Sequence, residues 1–207
     1  MPNSLVLAED LTFGFDAAAP LWTDLCFDIP ATGVTLVQGG ESRGKSTLLK
    51  LLAGKLQPAA GTLRMHQRAM QDAALAPHIY AHDPRDAAWN DVSPRAFWAQ
   101  MAQVYPRFDD AKAQAMAQHL QLSEHIDKAM FMLSTGSKRK VSWVAALSCG
   151  ADLLLMDEPF AALDLSTIRK LHQLLGEWPE HHHSAWVLAD YQAPGAVPLA
   201  ALINLGD

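Results

Sequence analysis

The chain has 207 residues, half of them apolar, and a formal net charge of −6 with histidine neutral. That apolar content excludes a disordered chain, and the length suits one domain with its own core. The acidic balance argues against nucleic-acid binding, which needs an excess of Lys and Arg to neutralise phosphates.

Cys26 and Cys149 are far apart and lack CxxC spacing. Neither a disulfide framework nor a zinc site is expected, and both read as small buried residues. Met1-Pro2-Asn3-Ser4 lacks the basic start of a signal peptide. No apolar run approaches the roughly 18 residues that span a bilayer. Direct membrane insertion is therefore not expected, and a partner would have to hold the chain at a membrane.

Leu5-Val6-Leu7 and Leu11-Thr12-Phe13 predict two short strands separated by turn residues. Leu25-Cys26-Phe27-Asp28-Ile29 predicts a third, ended by Pro30. Val34-Thr35-Leu36-Val37 is aliphatic or β-branched throughout, as in a strand buried on both faces. It runs straight into Gln38-Gly39-Gly40, and residues 46–53 read as a helix ending near Gly54. Residues 84–150 are rich in Ala, Gln and Met, with helical spacing at Phe97, Met101 and Val104 and again at Met116 and Leu120. Several helices interrupted by Pro94 and Pro106 are expected there, forming a lobe inserted between strands. Leu153-Leu154-Leu155-Met156 predicts a second apolar strand, residues 168–175 an amphipathic helix, and Trp186-Val187-Leu188-Ala189 a third buried strand. Residues 202–205 predict a last one. His181-His182-His183 reads as an exposed helix–strand turn. Strands alternating with helices predict an α/β fold with a largely parallel sheet.

Gly39-Gly40-Glu41-Ser42-Arg43-Gly44-Lys45-Ser46, followed by Thr47, fits the pattern G-x-x-x-x-G-K-[ST] completely. Glycines let backbone N–H groups turn inward around phosphates, and the following helix points its positive end at the same anion. Lys45 is suited to the β- and γ-phosphates and the Ser46 hydroxyl to Mg²⁺. Residues 153–156 then lead into Asp157-Glu158-Pro159. Asp157 is expected to hold Mg²⁺, and Glu158 to orient or deprotonate an attacking water.

These segments resemble the ATPase subunit of ABC (ATP-binding cassette) transporters. The resemblance rests on Lys45 together with Asp157-Glu158-Pro159-Phe160-Ala161-Ala162-Leu163-Asp164. Residues 53–63, Ala-Gly-Lys-Leu-Gln-Pro-Ala-Ala-Gly-Thr-Leu, are similar to the family's segment after the phosphate-loop helix. Leu133-Ser134-Thr135-Gly136-Ser137 resembles its LSGGQ signature, and Ala162-Leu163-Asp164 its D-loop. The short length is similar to the smallest single-cassette members, such as the haem-exporter ATPase.

The resemblance implies a P-loop fold over residues 1–207, with an antiparallel N-terminal part. A core lobe would span about 1–83 and 151–207, and a helical lobe about 84–150. It implies ATP and Mg²⁺ as cofactors, and ATP hydrolysis. A homodimer or heterodimer of cassettes would close over two nucleotides, with Ser134, Thr135, Gly136 and Asp164 touching the nucleotide of the partner. Phe15 falls where the family stacks an aromatic ring on adenine, although it also reads as a core aromatic. An integral membrane transporter subunit would hold the chain at the cytoplasmic face, docking near residues 83–98, where Trp89, Phe97 and Trp98 lie. The competing reading is a soluble nucleotide-gated module with weak or no hydrolysis.

Five positions depart from the family. Thr135 and Ser137 replace Gly and Gln of the signature. Ser42 replaces a glycine in the loop, so the backbone there must be one that serine tolerates. Asp83 replaces a Gln that touches Mg²⁺ and water; a carboxylate can bind the metal but cannot donate to water. Asp190 replaces a His that donates to the γ-phosphate, which an ionised Asp would repel. Glu158, Asp83 and Asp190 are thus the candidate catalytic residues, and Ser46, Asp157 and Asp83 the candidate metal ligands, with turnover expected to be altered.

Overall fold

The computed structural model describes residues 4–206 except 17, 84, 182 and 196. His182 of the triple-histidine turn and Met1-Pro2-Asn3 lie outside the described residues.

Two sheets organise the chain. Strands β1 (Ser4–Phe13), β2 (Trp22–Pro30), β4 (Ala60–Met65) and β5 (Arg68–Ala69) form an antiparallel sheet in the order β2-β1-β4-β5. Strands β3 (Gly33–Gln38), β6 (Ile79–Ala81), β7 (Leu153–Asp157), β8 (Ala185–Asp190) and β9 (Leu199–Asn204) form a second sheet in the order β6-β7-β8-β3-β9. The pairings in this second sheet are parallel. Helix α1 (Lys45–Leu52) follows β3, and α5 (Leu165–His181) connects β7 to β8. Helices α2 (Pro94–Val104), α3 (Asp110–His119) and α4 (Thr135–Ser148) lie between β6 and β7. This is the expected α/β class, with an antiparallel N-terminal part and helices inserted between two strands.

The apolar strands β3, β7 and β8 are buried along nearly their whole length, as covering on both faces of a parallel sheet requires. Trp143 of α4 ties the inserted helices to this sheet. Its ring lies 5.2 Å from Trp186 of β8 and 5.8 Å from Phe160, and its indole N–H donates to Pro159 O at 2.9 Å.

Several local expectations are corrected. The two short strands expected at residues 5–7 and 11–13 are one strand, β1, with a register shift between Ala8 and Leu11. Asp10, at φ 50°, absorbs the irregularity, so the turn-like Glu9-Asp10 pair marks a bulge rather than a break. Pro94 does not interrupt a helix but opens α2 at its first turn, where its missing N–H costs nothing, behind the Ser93 cap. Helix α5 runs far beyond residues 168–175 and ends at His181, so the first histidine of the triplet is helical. Strand β9 begins at Leu199 rather than near 202. Cys26, expected to be buried, is exposed on β2, while Cys149 is buried and its thiol is pushed up to about 12 by desolvation.

Candidate nucleotide-binding site

Parallel pairing brings the carboxyl ends of β3, β7 and β8 level: Gln38 lies opposite Asp190, and Asp157 opposite Ala189. Ligands of such sheets bind outside these ends. The loop after β3 turns here into α1 through Gly44, whose φ of 87° suits glycine. A Cβ on Gly44 would also stand under 3.0 Å from the Trp22 ring, whose indole N–H donates to Arg43 O at 2.9 Å. Ser42 takes φ 59°, a left-handed conformation that favours glycine, so the expectation of a backbone that suits serine is corrected here.

Lys45 is buried, and its ammonium donates to Gly39 O at 2.8 Å and Gly40 O at 2.7 Å. Its Nζ lies 3.8 Å from the centroid of the Tyr191 ring. The Ser46 hydroxyl donates to Asp157 Oδ2 at 2.7 Å, joining the loop to the acidic end of β7. Glu41 is exposed, and Thr47 is half-buried on α1. Glu158 follows at φ 45°, its backbone N–H donating to Ala189 O at 2.9 Å. Phe15, Ser42, Lys45, Thr47, Glu158 and Tyr191 share one cleft of about 220 Å³. Phe15 is 76% exposed and meets Phe13 edge-on at 5.3 Å, so it is no part of the core.

Asp190 ends β8 partly buried, and its carboxylate accepts from Tyr191 N at 2.7 Å. Desolvation, and then the nearby Glu158, push its pKa up, against the Tyr191 N–H first and Lys45 last. Asp83 lies beyond β6, and its carboxylate is turned to Arg85, with Nε on Oδ1 at 2.9 Å. Burial pushes Asp83 up, but the side-chain and backbone hydrogen bonds from Arg85 outweigh it and hold the pKa down. Arg85 Nη2 in turn donates to Asp157 Oδ2 at 3.2 Å. Asp83 thus reaches Asp157 through an arginine rather than directly.

Ser134, Thr135 and Gly136 do not line the loop's cleft. Ser134 caps α4, accepting from Ser137 N at 3.1 Å, and Thr135 is exposed. Gly136 presses on the carbonyl of Ala162. Asp164 accepts from Ser166 Oγ at 2.5 Å, Thr167 N at 2.9 Å and Thr167 Oγ1 at 2.8 Å, and pairs with Lys140 at 3.0 Å. These partners, the Ser166 hydroxyl first, hold its carboxyl far below the usual carboxylate range.

Tyr191, Arg85 and His82 are neighbours that the sequence reading did not single out. His82 is pushed down to about 4 by burial; its Nδ1 meets Ser142 Oγ at 3.0 Å, and its ring lies 4.6 Å from Phe97. Phe97 and Trp98 are core residues, and Trp89 packs half-buried against Phe97 at 4.8 Å. The only sequence signals for Tyr191 and Arg85 are their places beside Asp190 and Asp83.

The donor chemistry suits magnesium: a hydroxyl and a carboxylate, both hard oxygens, lie side by side where phosphates would lie against the loop. A buried parallel strand, a glycine loop opening a helix at Lys45-Ser46, and acidic ends on adjacent strands define a P-loop nucleotide-binding protein. The chain belongs to the ABC transporter family, whose profile matches residues 22–161.

The chain is 30% identical over 160 residues to a taurine import ATP-binding protein of Pseudomonas fluorescens, covering 77% of this chain and 61% of that protein. It therefore spans about three-fifths of the length of that relative. It is 32% identical over 184 residues to a cytochrome c biogenesis ATP-binding export protein of Zymomonas mobilis, covering 83% of this chain and 76% of that one. An ABC transporter ATP-binding protein from Pyrococcus furiosus superposes with a TM-score of 0.79 at 18% identity, covering 97% and 96% of the two chains; that likeness carries the fold alone.

Proposed function

We propose that this chain binds ATP with Mg²⁺ on the loop of residues 39–47 and hydrolyses it as the ATPase subunit of an ABC transporter. The observation that carries the reading is the meeting of Lys45, Ser46, Asp157 and Glu158 at the ends of β3 and β7. Loop N–H groups and the α1 N-terminus would cradle the β-phosphate. Lys45 would exchange its two loop carbonyls for β- and γ-phosphate oxygens, and Ser46 and Asp157 would hold the magnesium ion. When bound, that ion neutralises charge on the phosphates. Glu158 would orient the attacking water and accept its proton. Phe15, exposed at the mouth of the cleft, would cover the adenine face.

The name of each relative above describes an ATP-binding protein of import or export. Among the described residues no helix is long and apolar enough to cross a membrane. We therefore assign transport to a separate integral membrane subunit, with this chain at its cytoplasmic face. Residues 84–150 would form the lobe that carries Ser134–Ser137. Two cassettes would close so that Ser134, Thr135, Gly136 and Asp164 of one meet the nucleotide of the other. The capped α4 N-terminus suits an anion in that arrangement.

The test is steady-state ATPase activity of the wild type and Glu158→Gln, beside nucleotide binding. Wild-type turnover that the variant loses by about 100-fold or more while still binding ATP is expected. Equal inactivity of the two, with both binding ATP, would remove hydrolysis from the account.

A further inference from the structure

Among the described residues, Asp157 Oδ2 has two partners. Ser46 Oγ donates to it at 2.7 Å, and Arg85 Nη2 at 3.2 Å. Arg85 is not a loosely placed side chain. Asp83 clamps it with three bonds: Nε to Oδ1 at 2.9 Å, Nη2 to Oδ2 at 3.4 Å, and the Arg85 backbone N–H to Oδ1 at 2.9 Å. A planar guanidinium matched to a carboxylate in this forked way is held in direction as well as in place. The result is a fixed positive charge on the oxygen that a magnesium ion joining Ser46 to Asp157 would need.

We propose that Arg85 is a built-in cationic competitor for Asp157, aimed by Asp83, which a divalent ion must displace before Ser46 and Asp157 can hold it. The inference rests on the Mg²⁺·ATP reading and adds to it a residue that tunes metal affinity. It also gives Asp83 a positioning role distinct from metal ligation. Both carboxylate oxygens of Asp83 are engaged with Arg85, so its negative charge acts on the site through the arginine.

Arg85 is about half exposed and Asp157 one-fifth exposed, so solvent weakens the pair. Its removal should tighten metal binding about two- to fivefold, the range expected of a partly exposed ion pair. The gap should shrink as salt is raised, because such a competition is screened. A purely structural arginine would show neither effect. An arginine that instead contacts phosphate would give the opposite sign.

The experiment is titration of Mn²⁺ into the full chain with ADP present, read by the electron paramagnetic resonance signal of the free ion. Wild type, Arg85→Ala and Arg85→Lys are compared at low and high salt. Binding of a fluorescent ATP analogue in EDTA is measured alongside. The expected result is tighter Mn²⁺ binding by Arg85→Ala, an intermediate value for Arg85→Lys, convergence at high salt, and unchanged analogue binding in EDTA. Equal Mn²⁺ affinity in all three chains overturns the proposal. So does weaker binding by Arg85→Ala, which together with weaker analogue binding would make Arg85 a phosphate contact. If the wild type binds the analogue neither with metal nor in EDTA, the nucleotide reading itself fails, an outcome distinct from a wild type that binds it normally while the variants do not differ.

Discussion

Replacing Gly136 by Ala tests whether the start of α4 is built against its own chain. The backbone of Gly136 is not left-handed, so the substitution carries no torsional objection. The obstacle is contact: an added Cβ would stand under 3.0 Å from the carbonyl oxygen of Ala162. That carbonyl has little freedom to retreat. Ala162 is itself at φ 60°, its neighbour Ala161 accepts from the Arg139 guanidinium, and Asp164 is held by Lys140 and by the start of α5. Overpacking of this kind costs about 1–3 kcal/mol. Alanine in a helix gains at most ~1 kcal/mol over glycine, and less so near the end of the helix. The contact term therefore wins, and a net loss on the order of 1–2 kcal/mol is expected. For a chain of this size that lowers the melting temperature by about 2–8 °C. The assay is thermal unfolding without nucleotide at low protein concentration, so that neither ligand nor dimer contributes. A melting temperature that is unchanged or raised would refute the packing of Gly136 on Ala162.

Two further substitutions probe the loop and the end of β8. Ser42→Gly removes a side chain from a left-handed position and should stabilise by about 0.5–1 kcal/mol, a rise of about 1–4 °C in the same melt; a fall would mean that Ser42 is not held at positive φ. Burial and Glu158 raise the pKa of Asp190, so its contribution to stability is present below the usual carboxylate value and is lost as pH rises through the raised folded value. Asp190→Asn should therefore melt higher than the wild type at pH 8, with the difference closing toward pH 4. A difference independent of pH would contradict that cause.

The sequence carried the site better than it carried the secondary structure. β3, β7 and β8 were legible because strands buried on both faces read as unbroken apolar runs. The glycine loop was legible because its chemistry is local. β4 and the three-residue β6 were not anticipated, since Ala-Gly-Thr-Leu-Arg-Met is mixed in character and β6 is too short to show a period. β1 was misread because a bulge and a turn use the same residues. Arg85 and Tyr191 were illegible for a different reason. Arg85 lies 72 positions from Asp157, and only the pairing of β6 with β7 brings them together. Tyr191 covers Lys45 only because β8 lies beside β3. The substitutions at Asp83 and Asp190 were visible as residues, but their surroundings, an arginine clamp and a desolvated carboxyl, came from the fold.

Titration of ATP into the wild type and Lys45→Ala by calorimetry decides whether the loop at residues 39–47 binds ATP. Lys45 is buried and bonded to Gly39 O and Gly40 O, so each chain is also melted without ligand to separate folding from binding. Loss of a charged hydrogen bond to phosphate predicts affinity weakened about 10- to 100-fold in a variant that remains folded. A wild type that binds no ATP, or a folded Lys45→Ala that binds it equally well, would contradict the account.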